Sequence, residues 1–176
     1  MKTTNTIPPL DHGMFESLSE LLTGRVCIVG VGNRQRGDDG AGPRLIDARS
    51  PASRGVWLDA GVAPENFLEP IVRTKPDTVL IVDAVAFGGI PGECRLIDAT
   101  AIDTVVMSTH AGSLGMLRDY LTARTNARIQ VLGIQPERID AREGLSQPVE
   151  NSVRELAVLL SNVLVVCCCD GSITIC

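Results

Sequence analysis

Val26-Cys27-Ile28-Val29-Gly30-Val31, followed by Gly32-Asn33-Arg34-Gln35-Arg36-Gly37-Asp38-Asp39-Gly40-Ala41-Gly42-Pro43, is the stretch on which the fold turns. Its first six residues carry no charge. They form a compact apolar run suited to a strand buried on both faces. Residues 32–42 are rich in glycine and charge, which predicts a loop. Pro43 is pre-set for the first turn of a helix, with Leu45, Ile46 and Ala48 turned inward. Strand, loop and helix in that order open a layered α/β domain.

The rest of the chain repeats the theme. Apolar runs predict strands at residues 55–60, 77–84, 94–97 and 127–134, with Val79, Leu80, Ile81 and Val82 marking the central one. Helical spacing predicts helices at 11–22, 64–74, 113–124 and 147–164. The second of these gathers Phe67, Leu68, Ile71 and Val72 on one face, the third Leu114, Leu117 and Leu121. Glycines 88, 89 and 92 with Pro91 predict a turn. The expected architecture is a three-layer α/β/α sandwich with a twisted, mainly parallel five-stranded sheet. Residues 24–164 form its one domain, after a leader with a short helix (1–23) and before a cysteine-rich tail (165–176). Ligands of such sheets sit beyond the carboxyl ends of the strands, so the loops after Val31 and Val82 are expected to carry the chemistry.

Composition narrows the function. The 176 residues are 44% hydrophobic, 21% charged and only 3% aromatic, so the core must be aliphatic. A formal charge of −5 without a basic stripe argues against nucleic acid as a partner. No run of about 20 apolar residues is present to span a membrane. The N-terminus lacks the pattern of a signal peptide, and a cytoplasmic location without membrane attachment is expected. Cys27 and Cys94 belong to apolar surroundings. Cys167, Cys168, Cys169 and Cys176 contain no CxxC pair, and free thiols are expected throughout.

The loop after Val31 has the glycine spacing of a phosphate-binding loop, but Asp38 and Asp39 stand where Lys and Ser belong. Two carboxylates there repel a nucleotide and attract a cation. Gly30-Val31-Gly32 also fails as a dinucleotide motif, because Gln35 occupies the third glycine position. Asp59, at the end of the second strand, is the one residue that keeps a ribose-binding reading open. The plainer role for Asp38 or Asp39 is to cap the helix near Pro43 and complement its dipole.

Asp83 follows Leu80-Ile81-Val82 at the mouth of the central strand. An unpaired carboxylate buried there costs several kcal/mol, so it requires a cation, donors or water. His110 is one of two histidines and precedes a helix; a lone histidine is more often structural than not. His12, in the leader, is assigned no role. If the three loops meet at one edge, Asp39, Asp83 and His110 converge into two oxygens and an imidazole with open positions, suited to Ni, Zn or a similar divalent ion. Other hydrolytic machinery is missing. No GxSxG elbow occurs, Ser108, Ser113 and Ser146 lack a second credible histidine, and Cys27 is a poor thiolate inside an apolar strand.

With these residues set out, the chain resembles the hydrogenase maturation endopeptidases, particularly those serving formate-hydrogenlyase-type hydrogenases. The matching stretches are Val29-Gly30-Val31-Gly32-Asn33, Gly37-Asp38-Asp39-Gly40-Ala41-Gly42-Pro43, Ala63-Pro64-Glu65-Asn66 and Ile81-Val82-Asp83-Ala84. Pro91-Gly92-Glu93, Ser108-Thr109-His110 and Leu132-Gly133-Ile134-Gln135-Pro136 continue the family's order. The resemblance implies a metal-sensing site on Asp39, Asp83 and His110. Asp38 is the neighbour able to replace Asp39, and Gly37 and Asn33 support the loop. It further implies removal of the C-terminal extension of a [NiFe]-hydrogenase large-subunit precursor, with nickel carried by that substrate and no nucleotide involved. The family usually has a polar residue after the histidine, where Ala111-Gly112 stand here. The rival expectation is a non-enzymatic metal- or nucleotide-binding module using the same loops.

Overall fold

In a computed structural model the chain is described over residues 12–101 and 110–166. Five strands form one sheet: β1 (Val26–Val31), β2 (Val56–Gly61), β3 (Thr78–Ala84), β4 (Cys94–Asp98) and β5 (Arg128–Ile134). Their spatial order is β2-β1-β3-β5-β4. All neighbours run parallel except β4, which pairs antiparallel with β5. The helices are α1 (His12–Leu21), α2 (Ala41–Asp47), α3 (Leu68–Arg73), α4 (Ala111–Arg124) and α5 (Gln147–Val166). The expected sandwich is therefore present, and the turn at 88–92 leads into β4 as foreseen.

Alternation along the central strands divides the core in two. Val26, Ile28, Leu80, Val82, Leu132 and Ile134 pack on α1, α2 and α5. Cys27, Val29, Val31, Val79, Ile81 and Val131 face the other way, against Ile71 of α3 and Leu114, Leu117 and Leu121 of α4. Every residue of β1 and β3 is buried, which is why both read as continuous apolar runs. Each fully buried Leu or Ile contributes roughly 1.5–3 kcal/mol over its exposed state.

Three local expectations need correction. The glycine-rich segment is not all loop: Gly37–Gly40 forms one 3-10 turn that runs straight into α2. The helix expected at 64–74 is split into a 3-10 turn, Pro64–Phe67, and α3. Ala48 is the exposed cap residue of α2, not an inward one, because the helix has already ended at Asp47. The residues before 12, Ser108-Thr109, and Cys167, Cys168, Cys169 and Cys176 lie outside the described residues.

Both described cysteines are held as thiols. Burial pushes Cys27 up to about 11. Burial, aided by the charges of Glu155 and Glu93, pushes Cys94 up to about 12. Iodoacetamide at about pH 7.5, where an ordinary thiol near 8.5 reacts, should leave both unmodified in the native protein by peptide mass mapping. Urea should open both to labelling. Fast native labelling of Cys27 would contradict its burial.

Candidate active site

The sheet delivers β1 and β3 side by side, so their carboxyl ends, at Val31 and Ala84, open at the same rim. Gly42 lets α2 lie directly on that rim. A Cβ at Gly42 would stand 2.3 Å from the Val82 carbonyl oxygen and 2.4 Å from that of Val31. Gly32 is needed for a second reason. Its φ is 138, and a Cβ there would sit 1.8 Å from the Asp39 carbonyl oxygen. The turn is thus folded so tightly that the strand end and the acidic pair touch.

Asn33 closes that turn. Its backbone N–H donates to the Asp39 carbonyl (3.0 Å) and lies 3.2 Å from Asp39 Oδ2. Its side-chain oxygen accepts from the Gln35 N–H at 2.9 Å, a local turn of the kind Asn favours. Gly37 donates its N–H to the Arg142 carbonyl at 2.6 Å.

The two aspartates have separate fates. Asp39 is 1% exposed, and its Oδ2 lies 3.4 Å from His110 Nε2. Asp38 is fully buried and faces the segment 137–146 instead. Its Oδ2 accepts from the N–H groups of Glu137 (2.9 Å) and Arg138 (3.0 Å) and from Ser146 Oγ (2.9 Å); its Oδ1 accepts from the Ser146 N–H (2.6 Å). Ser146 immediately precedes α5 and its carbonyl accepts from the Glu150 N–H. Asp38 therefore fastens the loop to the start of α5. It does not cap the helix near Pro43, and with four donors already on it, it does not stand in reserve for Asp39.

Asp83, also fully buried, ends in the same region, with its Oδ1 accepting from the Ala84 N–H at 2.9 Å. His110 is the residue before α4, its ring mostly covered. The Asp39 carboxylate beside the imidazole raises the His110 pKa above its ordinary 6.5 against the pull of burial. The charge of Asp83 adds to the rise, and Arg36 opposes it. An NMR titration should find His110 ionising above 6.5, and Asp39→Asn should bring that midpoint down. An unchanged midpoint in Asp39→Asn would mean the contact is not made in solution.

The donor types, two carboxylates and an imidazole, suit a borderline divalent ion. Among the described residues, however, no three His, Cys, Asp or Glu side chains stand arranged as a ligand cage. Asp39 and His110 touch, and Asp83 acts on the same imidazole.

Asp59 has lost the role a ribose acid needs. Its Oδ2 accepts from Arg34 Nη2 at 2.6 Å, and Arg34 also grips Asp47 at 2.6 Å. Ser146 and the backbone donors of Glu137 and Arg138 were missed in the sequence, as was Gln135. Gln135 Oε1 accepts from the N–H groups of Phe87 (2.9 Å) and Gly89 (3.1 Å), pinning the segment that follows Asp83. The one signal available for Gln135 was its place in the Leu132-Gly133-Ile134-Gln135-Pro136 stretch.

Residues 45–162 match the family model described as HycI: Hydrogenase maturation protease. The chain is 40% identical over 126 residues to the Hydrogenase 3 maturation protease of Escherichia coli (strain K12), covering 70% of this chain and 80% of that one. A putative hydrogenase maturation protease of Methanocaldococcus jannaschii is 30% identical over 126 residues, 66% of this chain and 75% of that one. The crystal structure of a [NiFe] hydrogenase maturation protease HycI from Thermococcus kodakarensis KOD1 superposes with a TM-score of 0.74 at 30% identity, over 84% of this chain and 98% of that chain. An α/β/α domain with acids and an imidazole at the carboxyl rim of its sheet, matched in this way, is a peptidase. The chain belongs to the hydrogenase maturation protease family.

Proposed function

We propose that this chain is a cytoplasmic, metal-dependent endopeptidase that removes the C-terminal extension of a nickel-loaded [NiFe]-hydrogenase large-subunit precursor. The observation that carries the reading is the 3.4 Å approach of His110 Nε2 to Asp39 Oδ2 beside the buried Asp83. Three polar side chains from three separate segments come to one rim, with no packing reason for any of them to be ionisable. The similarity to a [NiFe] hydrogenase maturation protease from Thermococcus kodakarensis supports the choice of client.

In this reading the nickel arrives as part of the substrate. Asp39, Asp83 and His110 lack a closed cage of their own, which suits residues that complete the coordination of an ion already held by the precursor. The ion supplies Lewis acidity, either polarising the scissile carbonyl or acidifying a water. The protein's part is to hold two carboxylates and one imidazole at fixed positions, so that only a filled precursor is seated with its peptide in place. Specificity then follows from the demand for metal, because an empty precursor offers the two acids no cation.

The test is cleavage in vitro, read as the mass shift of the large subunit. Nickel-loaded precursor should be shortened, and nickel-free precursor should be processed at least about 100-fold more slowly, the loss typical of a missing catalytic group. Equal cleavage of both would remove the metal from the mechanism. No cleavage of either, with the metal bound tightly by the protein alone, would favour a non-enzymatic binding module.

A further inference from the structure

We infer that a groove at the amino end of the sheet, opposite the acid–imidazole site, docks an acidic polypeptide segment of a partner. The parallel strands β1, β3 and β5 begin there, and the residues leading into them are tied together. The N–H groups of Asp77 and Thr78 donate to the Arg25 carbonyl, and the Arg128 N–H donates to that of Asp77. Above these ties lies a cavity of about 580 Å³, bordered by Arg25, Arg73, Lys75, Asp77 and Arg124. Four cationic side chains thus meet one carboxylate, on a chain whose formal charge is −5.

Two of the cations already have partners. Asp77 takes Arg25 through both carboxylate oxygens (3.1 and 3.2 Å) and accepts its backbone N–H as well (2.8 Å), while Arg124 reaches Glu69, outside the groove, at 3.1 Å and donates to the Tyr120 hydroxyl at 2.7 Å. Arg73 and Lys75 supply the positive charge that remains for an incoming anion. Placement at helix ends explains part of the charge, since Arg73 and Arg124 lie in the last turns of α3 and α4 and complement their dipoles. Arg25, which precedes a strand, is accounted for by its two-pronged grip on Asp77. Lys75 carries a further mark. Its φ is 49, the only positive value of a non-glycine residue among those described. Glycine takes that backbone without penalty, so a cationic side chain is kept where the main chain is strained.

The groove's shape favours carboxylates on a peptide over a nucleic-acid backbone. The cations are gathered in one short cavity rather than along a stripe, and the acidic remainder of the surface repels a long polyanion. The sheet separates this groove from the rim bearing Asp39 by about 20 Å, the length of a strand. An occupant here therefore leaves the active site open, and the inference does not depend on the proposed reaction.

Fluorescence anisotropy of a labelled decapeptide of glutamate and serine tests it on the full chain. The peptide should bind, more weakly as salt rises, while its lysine counterpart should not. The double variant Arg73→Glu/Lys75→Glu should lose affinity about tenfold or more. Arg44→Glu/Arg154→Glu changes the net charge equally at another surface and should stay within about twofold. Equal losses in both variants would reduce the effect to overall charge and overturn the proposal. Displacement of the peptide by an equal concentration of inorganic phosphate would overturn it too, by making the groove a small-anion site. So would tighter binding of a single-stranded oligonucleotide than of the peptide. Unchanged thermal midpoints in the variants keep a folding defect from being mistaken for lost docking.

Discussion

An Asp38→Ala protein should lose about 3–5 kcal/mol of stability, the range for breaking a buried, hydrogen-bonded charge network. Four donors point at this carboxylate, all from residues 137–146: the N–H groups of Glu137, Arg138 and Ser146 and the Ser146 hydroxyl. Truncation leaves all four without an acceptor inside a fully buried site. Hydrogen bonds to a charged group contribute about 1.5–3 kcal/mol each, and they do not add fully when they share one acceptor. Asp38→Asn should be nearly as harmful, since one of the two acceptor positions becomes an amide facing an N–H. Domains of this size have only about 5–15 kcal/mol in hand, so the shift in urea midpoint will be large. A loss under about 1 kcal/mol in both variants would show that residues 137–146 are held by something else.

This buried clamp marks the boundary of what the sequence discloses. β1 and β3 were legible because a strand covered on both faces has to be apolar at every position, and few other elements look so. The parallel order followed from helices placed between strands, and with it the rim where chemistry belongs. Asp39, Asp83 and His110 were legible as residue types whose burial needs a reason, and by family pattern; their approach to one another was not, because three segments far apart in sequence must be folded first. The division of labour between Asp38 and Asp39 was invisible for the same reason. Ser146 lies 108 residues from Asp38, and nothing in Gly37-Asp38-Asp39-Gly40 distinguishes the acid that fastens the loop from the one that faces the histidine.

Gly42 illustrates another limit. Its role is to be absent, allowing carbonyls of β1 and β3 to come within the radius of a methyl group. A glycine that permits close approach of two elements has the same letter as one that makes a turn. Ala48 failed for a simpler cause, since helix length sets which positions remain inward, and element ends are the part of a periodic pattern that sequence defines least.

His110→Ala should abolish processing while leaving the domain folded, a fall of at least about 100-fold in cleavage. The imidazole contributes to the site more than to the core. It stands just before α4, and the turn it begins is made by its carbonyl, which accepts from the Leu114 N–H and survives the substitution. What the variant removes is the partner of Asp39 and the group on which Asp83 also acts. The electrostatic part of the loss has a definite pH dependence. Because folding raises the His110 pKa, the protonated ring stabilises the native state fully below about 6.5, the unfolded value. That stabilisation fades as the pH climbs through the higher folded value. The stability difference between wild type and His110→Ala should therefore be larger at about pH 6 than at about pH 8.5 in urea titrations. In the proposed mechanism processing behaves in the opposite sense, because a ring that is to ligate the precursor's metal must be neutral. Wild-type cleavage should rise with pH over the interval in which the stability difference shrinks. A folded His110→Ala protein that still clips the precursor at the normal rate would take His110 out of the mechanism, and with it the reason for Asp39 and Asp83 to be buried at its side.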